Sequence, residues 1–404
     1  MKFSKIEKDA GCSYDGKIII IGAGVSGLFA ANALKYTGCD NFIVLEASDR
    51  IGGRLKSVDN FHDDVPLDVG AEWIHASNEQ IVKDMLVFQD DDVEKDLAPS
   101  EFVKYQPQFY FRNKRSRLVE MIYQETKWKR STWWDYLDKF VYQHVLDKVQ
   151  LNSPVIEIQY DQEDQDQNRG QAKVILADGS ELLADKIICT VSLAVLKKQI
   201  IEFRPPLPQK KLDAIEATDM PPGFRILFEM KENFYPDATL TDGIFKLLQI
   251  AIGDITLIYD PLYGKDLSSS QNILAYVAVG HKNAGEMSKL EDGDLVNAAL
   301  AKIDELFDGQ GSKNYVKHIV QNWSSDPYIL GTYTFPGVSR HHRSELGKTV
   351  RGKIIFAGEH TSINHYSLVS GAANEGRRAA MEAIGQKKSE HRSCMDIQGC
   401  KSFF

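Results

Sequence analysis

Lys17 to Leu55 reads KIIIIGAGVSGLFAANALKYTGCDNFIVLEASDRIGGRL, and the fold follows from how this stretch must behave. Ile18 to Ile21 form an unbroken apolar β-branched run, which suits a strand buried on both faces of a parallel sheet. Gly22, Gly24 and Gly27 follow at once in the spacing G-x-G-x-x-G. The first glycine allows a tight turn, the second lets backbone approach a pyrophosphate, and the third lets the next helix pack down on the strand. That helix presents unpaired N–H groups and its positive dipole end to a diphosphate. A second strand, Phe42 to Leu45, ends in Glu46, whose carboxylate can accept hydrogen bonds from both ribose hydroxyls. An acid there suits an unphosphorylated ribose and argues against NADP. Strand, glycines, helix, strand and acid in this order specify a dinucleotide site, which the glycine motif alone would not.

After Glu46 come Arg50, Gly52, Gly53 and Arg54, giving E-x-x-x-R-x-G-G-R: a second glycine pair with a guanidinium able to fork onto phosphate oxygens. This extended stretch resembles the FAD-binding start of the flavin-containing amine oxidase family, and phytoene desaturases and protoporphyrinogen oxidases share it. The resemblance names FAD as cofactor and leaves the substrate open.

A chain of 404 residues with 43% hydrophobic content can bury a large core and should divide into two domains. The net charge of -9 argues against a nucleic-acid partner. It favours approach of a cationic small molecule, although an acidic surface also simply aids solubility. Cys12, Cys39, Cys189, Cys394 and Cys400 are odd in number and scattered, so neither a disulfide framework nor a metal site is expected, and a reducing compartment is. No apolar run could span a bilayer and residues 1–16 are polar, which predicts a cytoplasmic protein without a membrane partner.

Further along, Asp68, Gly70, Ala71, Trp73 and His75 lie in DVGAEWIH. They resemble the family's D-x-G-A-x-W-I-H-G segment beside the flavin ring, with Ala76 departing from its final glycine. The resemblance implies that small residues let backbone near the isoalloxazine, that Trp73 walls it from water, and that His75 faces a substrate channel. Residues 81–150 are charged and aromatic; the acidic run 90–92 reads as a solvated loop. The spacing of Trp133, Tyr136, Leu137, Phe140, Val141, Val145 and Val149 predicts a helix over 132–149 with a core-facing stripe. Relatives are longer here, so part of a helical substrate region is expected to be missing.

Residues 151–190 predict two antiparallel strands, a polar loop 161–170, a hairpin through Asp178-Gly179 and a return strand. In the family the residue at Val155 offers its backbone to adenine. Residues 192–208 resemble a proline-rich crossing into the substrate domain. Strands are expected at 225–230, 255–259 and 273–279, with a helix over 292–307, a mixture that suits one wall of a ligand cavity. WSSDPYILGTY from Trp323 and KIIFAGEHTSINHYSLVSGAANEGRR from Lys353 resemble the closing half of the cofactor site. There Glu359 matches the acid that binds the ribityl or pyrophosphate part of FAD, and the helix from Val369 points its N–H groups at the flavin C2 carbonyl. The tail after Gln386 is expected to be disordered.

The fold class expected is α/β. A discontinuous Rossmann-type FAD domain takes 1–80, 150–200 and 320–386, and a substrate domain of mixed sheet plus helices takes 81–149 and 201–319. The resemblance places Gly22, Ala23, Gly24, Ser26, Gly27, Glu46, Ala47, Gly53, Arg54, Gly70, Ala71, Trp73, Val155, Trp323, Gly358, Glu359, Leu368 and Val369 against the cofactor. It implies oxidation of a C–N bond, closest in pattern to polyamine (spermine) oxidases, with oxygen reduced to hydrogen peroxide and no metal. Tyr333 falls on one wall of the family's aromatic cage; the opposite wall falls on Leu368, with Tyr366 near in sequence. Thr332 stands where monoamine oxidases carry the cysteine that bonds FAD, so a non-covalent cofactor is expected. Arg225 replaces a lysine that holds a water against flavin N5. Arginine cannot act as a base, although its fork can hold a water or a substrate carboxylate. Arg225, His75 and Tyr333 are the candidate catalytic residues. The alternatives are an L-amino-acid oxidase and a flavin-binding protein of the same fold with lost catalysis.

Overall fold

The computed structural model describes residues 12–59, 61, 66–75, 80–86, 97–105, 108–111, 117–120, 125–160, 170–235, 245–251, 254–262, 264–265, 272–335 and 339–386. The acidic run 90–92, the loop 161–169, Ala76 and the tail after 386 lie outside them.

Ile18–Ile21 is the central strand of a parallel sheet, flanked in register by Phe42–Leu45 and Lys186–Cys189. Ile354–Phe356 and Val149–Gln150 complete its two edges, also parallel. Alternate residues of the isoleucine run serve opposite cores, which is why all of them are apolar. Ile18 and Ile20 pack with Leu28, Phe29 and Leu34 of the helix Val25–Tyr36 and with Ala373 and Ala380 of the helix Val369–Ala383. Ile19 and Ile21 pack with Ile158, Tyr160 and Val174. These belong to a four-stranded sheet in the order Glu181–Ala184, Ala172–Leu176, Val155–Gln159, Glu202–Arg204. The expected hairpin turns at Gly179, whose φ of +84° is left-handed.

The two helices touch backbone to backbone. A Cβ on Gly376 would lie 2.0 Å from the carbonyl oxygen of Ser26, so only glycine permits this approach. The last helix is thereby seated on the first, directly behind the glycine-rich turn.

A second, seven-stranded sheet carries the expected strands as Gly223–Met230, Asp254–Tyr259 and Ile273–Gly280. Its order is Tyr315–Asn322, Gly223–Met230, Ile273–Gly280, Asp254–Tyr259, Phe245–Ala251, Gln108–Phe111, Arg117–Glu120. One face is covered by the helix Asp292–Leu306 through Leu295, Val296, Ala299, Leu300 and Ile303, spaced three and four apart. The other face sets Leu227, Tyr259 and Ala275 against Leu67 and Val69, so residues 67–73 run between this sheet and the nucleotide-binding half.

Two expectations need correction. The helix expected over 132–149 spans only Trp133–Phe140, opened by a capping box in which Thr132 and Asp135 exchange hydrogen bonds. Two 3-10 turns follow, Tyr142–His144 and Leu146–Lys148. The chain then straightens because Val149–Gln150 pairs with Val44 and Leu45. Trp133, Tyr136, Leu137, Phe140, Val141 and Val145 are nevertheless buried in one core, as the stripe implied. Secondly, Cys12 and Cys39 form a disulfide, their Cα atoms 5.0 Å apart. A turn after the first helix brings Cys39 back beside the residues that precede the first strand, a proximity that spacing could not reveal. The pairing removes the cysteine argument for a reducing compartment. No helix among the described residues is long and apolar enough to cross a membrane.

Candidate active site

The glycine-rich turn has the geometry its spacing requires. Gly22 has φ of +99°, and a Cβ on Gly27 would sit 1.9 Å from the Gly22 carbonyl oxygen. Gly24 bridges to Gly52, and a Cβ on Gly53 would lie 3.2 Å from the Gly24 Cα, so the two glycine pairs face each other across bare backbone. Glu46, buried at its strand end, accepts from the Ala23 N–H at 2.6 Å with one oxygen and from the Ser48 N–H and hydroxyl with the other. Arg50 differs from a phosphate-binding fork. Its guanidinium donates to the carbonyls of Ile51, Leu55 and Gly53 and so shapes the glycine loop from behind.

Arg54 crosses to the other half of the chain. Its Nη1 donates to the Thr332 carbonyl at 2.6 Å and to Glu359 at 3.0 Å. The Glu359 carboxylate also accepts from the Thr334 N–H and hydroxyl and from the Ser367 N–H. Burial alone would push its pKa up, but Arg54 and these hydrogen bonds outweigh that and hold it below the usual carboxylate range. Gly358, with φ of +144°, makes the turn into Glu359. Around this carboxylate sit two residues that the sequence did not single out. His360 is fully buried and pushed down to about 4 by desolvation. Arg343 stacks its guanidinium 3.9 Å from the Tyr366 ring and donates to Thr334, Phe335 and His360. His360 adjoins the G-E motif and could have been inferred from it; nothing in SRHHRSELG marks Arg343.

Arg225 lies on the sheet face turned to residues 67–73. Its Nη1 donates to the Asp68 carbonyl at 2.6 Å and pairs with Glu72 at 3.3 Å. The Glu72 carboxylate accepts the Tyr259 hydroxyl at 2.5 Å, and Lys127 Nζ stands 3.9 Å away. Burial pushes the Tyr259 hydroxyl and the Asp68 carboxyl well up from their ordinary values. This buried cluster of acids and cations was invisible in sequence, because its members come from four separate segments.

The remaining candidates divide. Tyr333 is half-buried, 5.9 Å from the Phe335 ring. Burial pushes its hydroxyl up to about 12 although the Arg225 charge pulls the other way. Trp73 packs edge-on against Tyr259 at 5.0 Å. Gly70 is where a Cβ would strike the Arg54 carbonyl at 1.9 Å, so the 67–73 segment is pressed against the second glycine loop, with Ala71 beside it. Leu368 caps the helix that begins at Val369, whose Gly371 and Gly376 admit backbone neighbours. Ser26 and Trp323 are buried, the former under Gly376, and Val155 lies in the core beneath the parallel sheet. Ala47 follows Glu46, half-buried. The hydroxyl of Thr332 donates to the Pro221 carbonyl. His75 is exposed, the outermost of the candidates.

Fold and site together define a Rossmann-type dinucleotide-binding fold set beside a second, seven-stranded sheet. Residues 135–384 match the flavin containing amine oxidoreductase family, and residues 20–87 match the NAD(P)-binding Rossmann-like domain. The chain belongs to the flavin-containing amine oxidoreductases. It is 25% identical over 451 residues to lysine-specific histone demethylase 2 of Homo sapiens, covering 91% of this chain and 53% of that protein. It is 24% identical to polyamine oxidase 3 of Oryza sativa subsp. japonica, covering 92% and 89% respectively. The chain thus spans about half of the first relative and most of the second. Among solved structures, a cofactor-binding redesign of putrescine oxidase superposes with a TM-score of 0.67 over 92% of this chain at 15% identity, which supports the fold.

Proposed function

We propose that this chain holds FAD without a covalent bond and oxidises a C–N bond of a small amine, a polyamine. The division into a nucleotide half at 1–80, 150–200 and 320–386 and a substrate half at 81–149 and 201–319 is part of that reading. The observation that carries it is the Arg54–Glu359 pair, which joins the N-terminal glycine loops to the C-terminal half at 3.0 Å. Bare backbone at Gly24 and Gly53 fits a pyrophosphate, Glu46 fits the ribose, and Glu359 with the helix from Val369 fits the ribityl and ring end. FAD, when bound, supplies the two-electron oxidation: hydride leaves the carbon next to nitrogen, water hydrolyses the imine to aldehyde and amine, and oxygen takes the electrons as hydrogen peroxide.

The protein's own part is to orient the amine and exclude water. Tyr333 offers a ring face, Trp73 and Tyr259 close one side, and Arg225 stands where a charge acts on the reacting edge. A polyamine is favoured because relatives named polyamine oxidases are matched over nearly their whole length. An L-amino-acid oxidase would need Arg225 or another arginine for the carboxylate, and Glu72 already pairs with Arg225. A flavin-binding protein with lost turnover is the second reading, favoured by that same engagement of Arg225. Anaerobic mixing of the FAD-loaded protein with spermine, spermidine, aromatic monoamines and amino acids separates the three. Bleaching of the flavin by spermine or spermidine is expected; bleaching by none of the panel selects the second reading.

A further inference from the structure

Glu72 occupies the variable position of D-x-G-A-x-W, so no motif assigns it a task. Its carboxylate sits where three other segments meet. One oxygen accepts the Tyr259 hydroxyl and faces Arg225 Nη1; the other, 3.9 Å from Lys127 Nζ, has no hydrogen-bond partner. The residue is 4% exposed. One edge of the Arg225 guanidinium is therefore held at two points, by Glu72 and by the Asp68 carbonyl. Nε and Nη2 make no hydrogen bond among the described residues, so the rest of the guanidinium has no acceptor there.

We propose that Glu72 is a specificity-determining positioning residue: it clamps one edge of the Arg225 guanidinium and balances its charge, so that the site takes a cationic amine rather than a carboxylate. The inference rests on the amine-oxidase reading for its substrate. An uncompensated guanidinium in a buried site repels an ammonium and draws in an anion, because low dielectric strengthens both effects. Glu72 is the carboxylate within ion-pair distance of both Arg225 and Lys127 among the described residues, and its removal takes the balancing charge away from Arg225. Tyr259 adds geometry to charge, its hydroxyl donating to the same carboxylate oxygen that faces Arg225.

Glu72→Gln, nearly isosteric, tests this in the FAD-loaded protein. Benzoate binding, followed by perturbation of the flavin absorption band without turnover, is expected to tighten about tenfold, the equivalent of about 1.4 kcal/mol. The KM for spermine is expected to rise about tenfold with kcat changed less than threefold. A benzoate affinity equal to that of the parent, with the flavin band intact, overturns the proposal. A double-mutant cycle of Glu72→Gln with Arg225→Met, read by urea midpoints of the apoprotein, needs no cofactor; strict additivity overturns the clamp itself. Failure to take up FAD would sink the amine-oxidase reading while the cycle still decides whether Glu72 holds Arg225. Should Glu72→Gln not fold, Tyr259→Phe loosens the same carboxylate and is expected to shift benzoate affinity in the same direction; no shift overturns the proposal.

Discussion

Arg54 and Glu359, 305 residues apart in sequence, stand 3.0 Å from each other, and the arginine alone ties the glycine loops to both the Thr332 backbone and the carboxylate. Glu359 is almost completely buried while Arg54 keeps a quarter of its side chain exposed, so the two do not lose equally from separation.

Removing the arginine strands a charge. Arg54→Met leaves Glu359 with its neutral donors only and should destabilise the protein by about 3 kcal/mol, the usual cost of an orphaned buried ion. Glu359→Gln should cost less in stability but weaken FAD binding at least tenfold. Thermal unfolding and FAD titration of the apoprotein check the contrast; equal losses in both variants would contradict the burial argument.

The helix contact at Gly376 should be as unforgiving. Gly376→Ala places a methyl group 2.0 Å from the Ser26 carbonyl oxygen, with backbone on both sides. Overpacking of this kind costs about 1–3 kcal/mol, and here it also tilts the last helix away from the glycine turn. Lower Tm together with weaker FAD binding is expected, whereas alanine at the exposed Gly293, where a Cβ meets nothing within 4 Å, should change neither.

His360 predicts a particular acid response. Its folded value is about 4, below its ordinary 6.5, because burial disfavours the imidazolium. Between those values the unfolded chain binds a proton that the folded chain refuses, so stability present above pH 6.5 is lost as pH falls toward 4. The full difference is about 3 kcal/mol. Depression of Glu359 acts in the same direction at lower pH, as its carboxylate is protonated. Urea midpoints measured from pH 7 to pH 4 should fall steeply, and His360→Gln should flatten the slope.

The disulfide gives a redox prediction. Cys12 and Cys39 enclose a loop of sequence separation 27, whose closure stabilises the chain by about 3 kcal/mol in the entropic account. Both should resist alkylation until a reductant is added, and Cys12→Ser should lower Tm. Immediate alkylation of Cys39 in unreduced protein would contradict the pairing.

The sequence was most legible where the backbone itself makes the site. The isoleucine run, Gly22 and Gly27 allow few alternatives, because a strand buried on both faces and a contact closer than a Cβ admit only those residue types. The end of the helix at Phe140 was not legible, since apolar spacing continues unbroken into the 3-10 turns and only pairing with Val44 straightens the chain. Nor was the cluster around Arg225. Glu72, Lys127 and Tyr259 each look like ordinary polar positions until the fold gathers them around one carboxylate beside the Arg225 guanidinium, and charge balance is a property of that meeting.

That meeting decides what Arg225→Lys should do. If arginine were a chance replacement of a family lysine, restoring lysine would restore turnover. Yet the guanidinium reaches the Asp68 carbonyl and Glu72 from the end of a longer, planar side chain, a geometry that a lysine ammonium does not reproduce. The lysine variant should therefore keep FAD and lose at least tenfold in the rate of flavin reduction by a polyamine. Rapid-mixing absorbance measured without oxygen checks this. A rate gain of tenfold or more would show instead that the arginine had silenced an oxidase, and the flavin-binding reading would then describe the parent protein better.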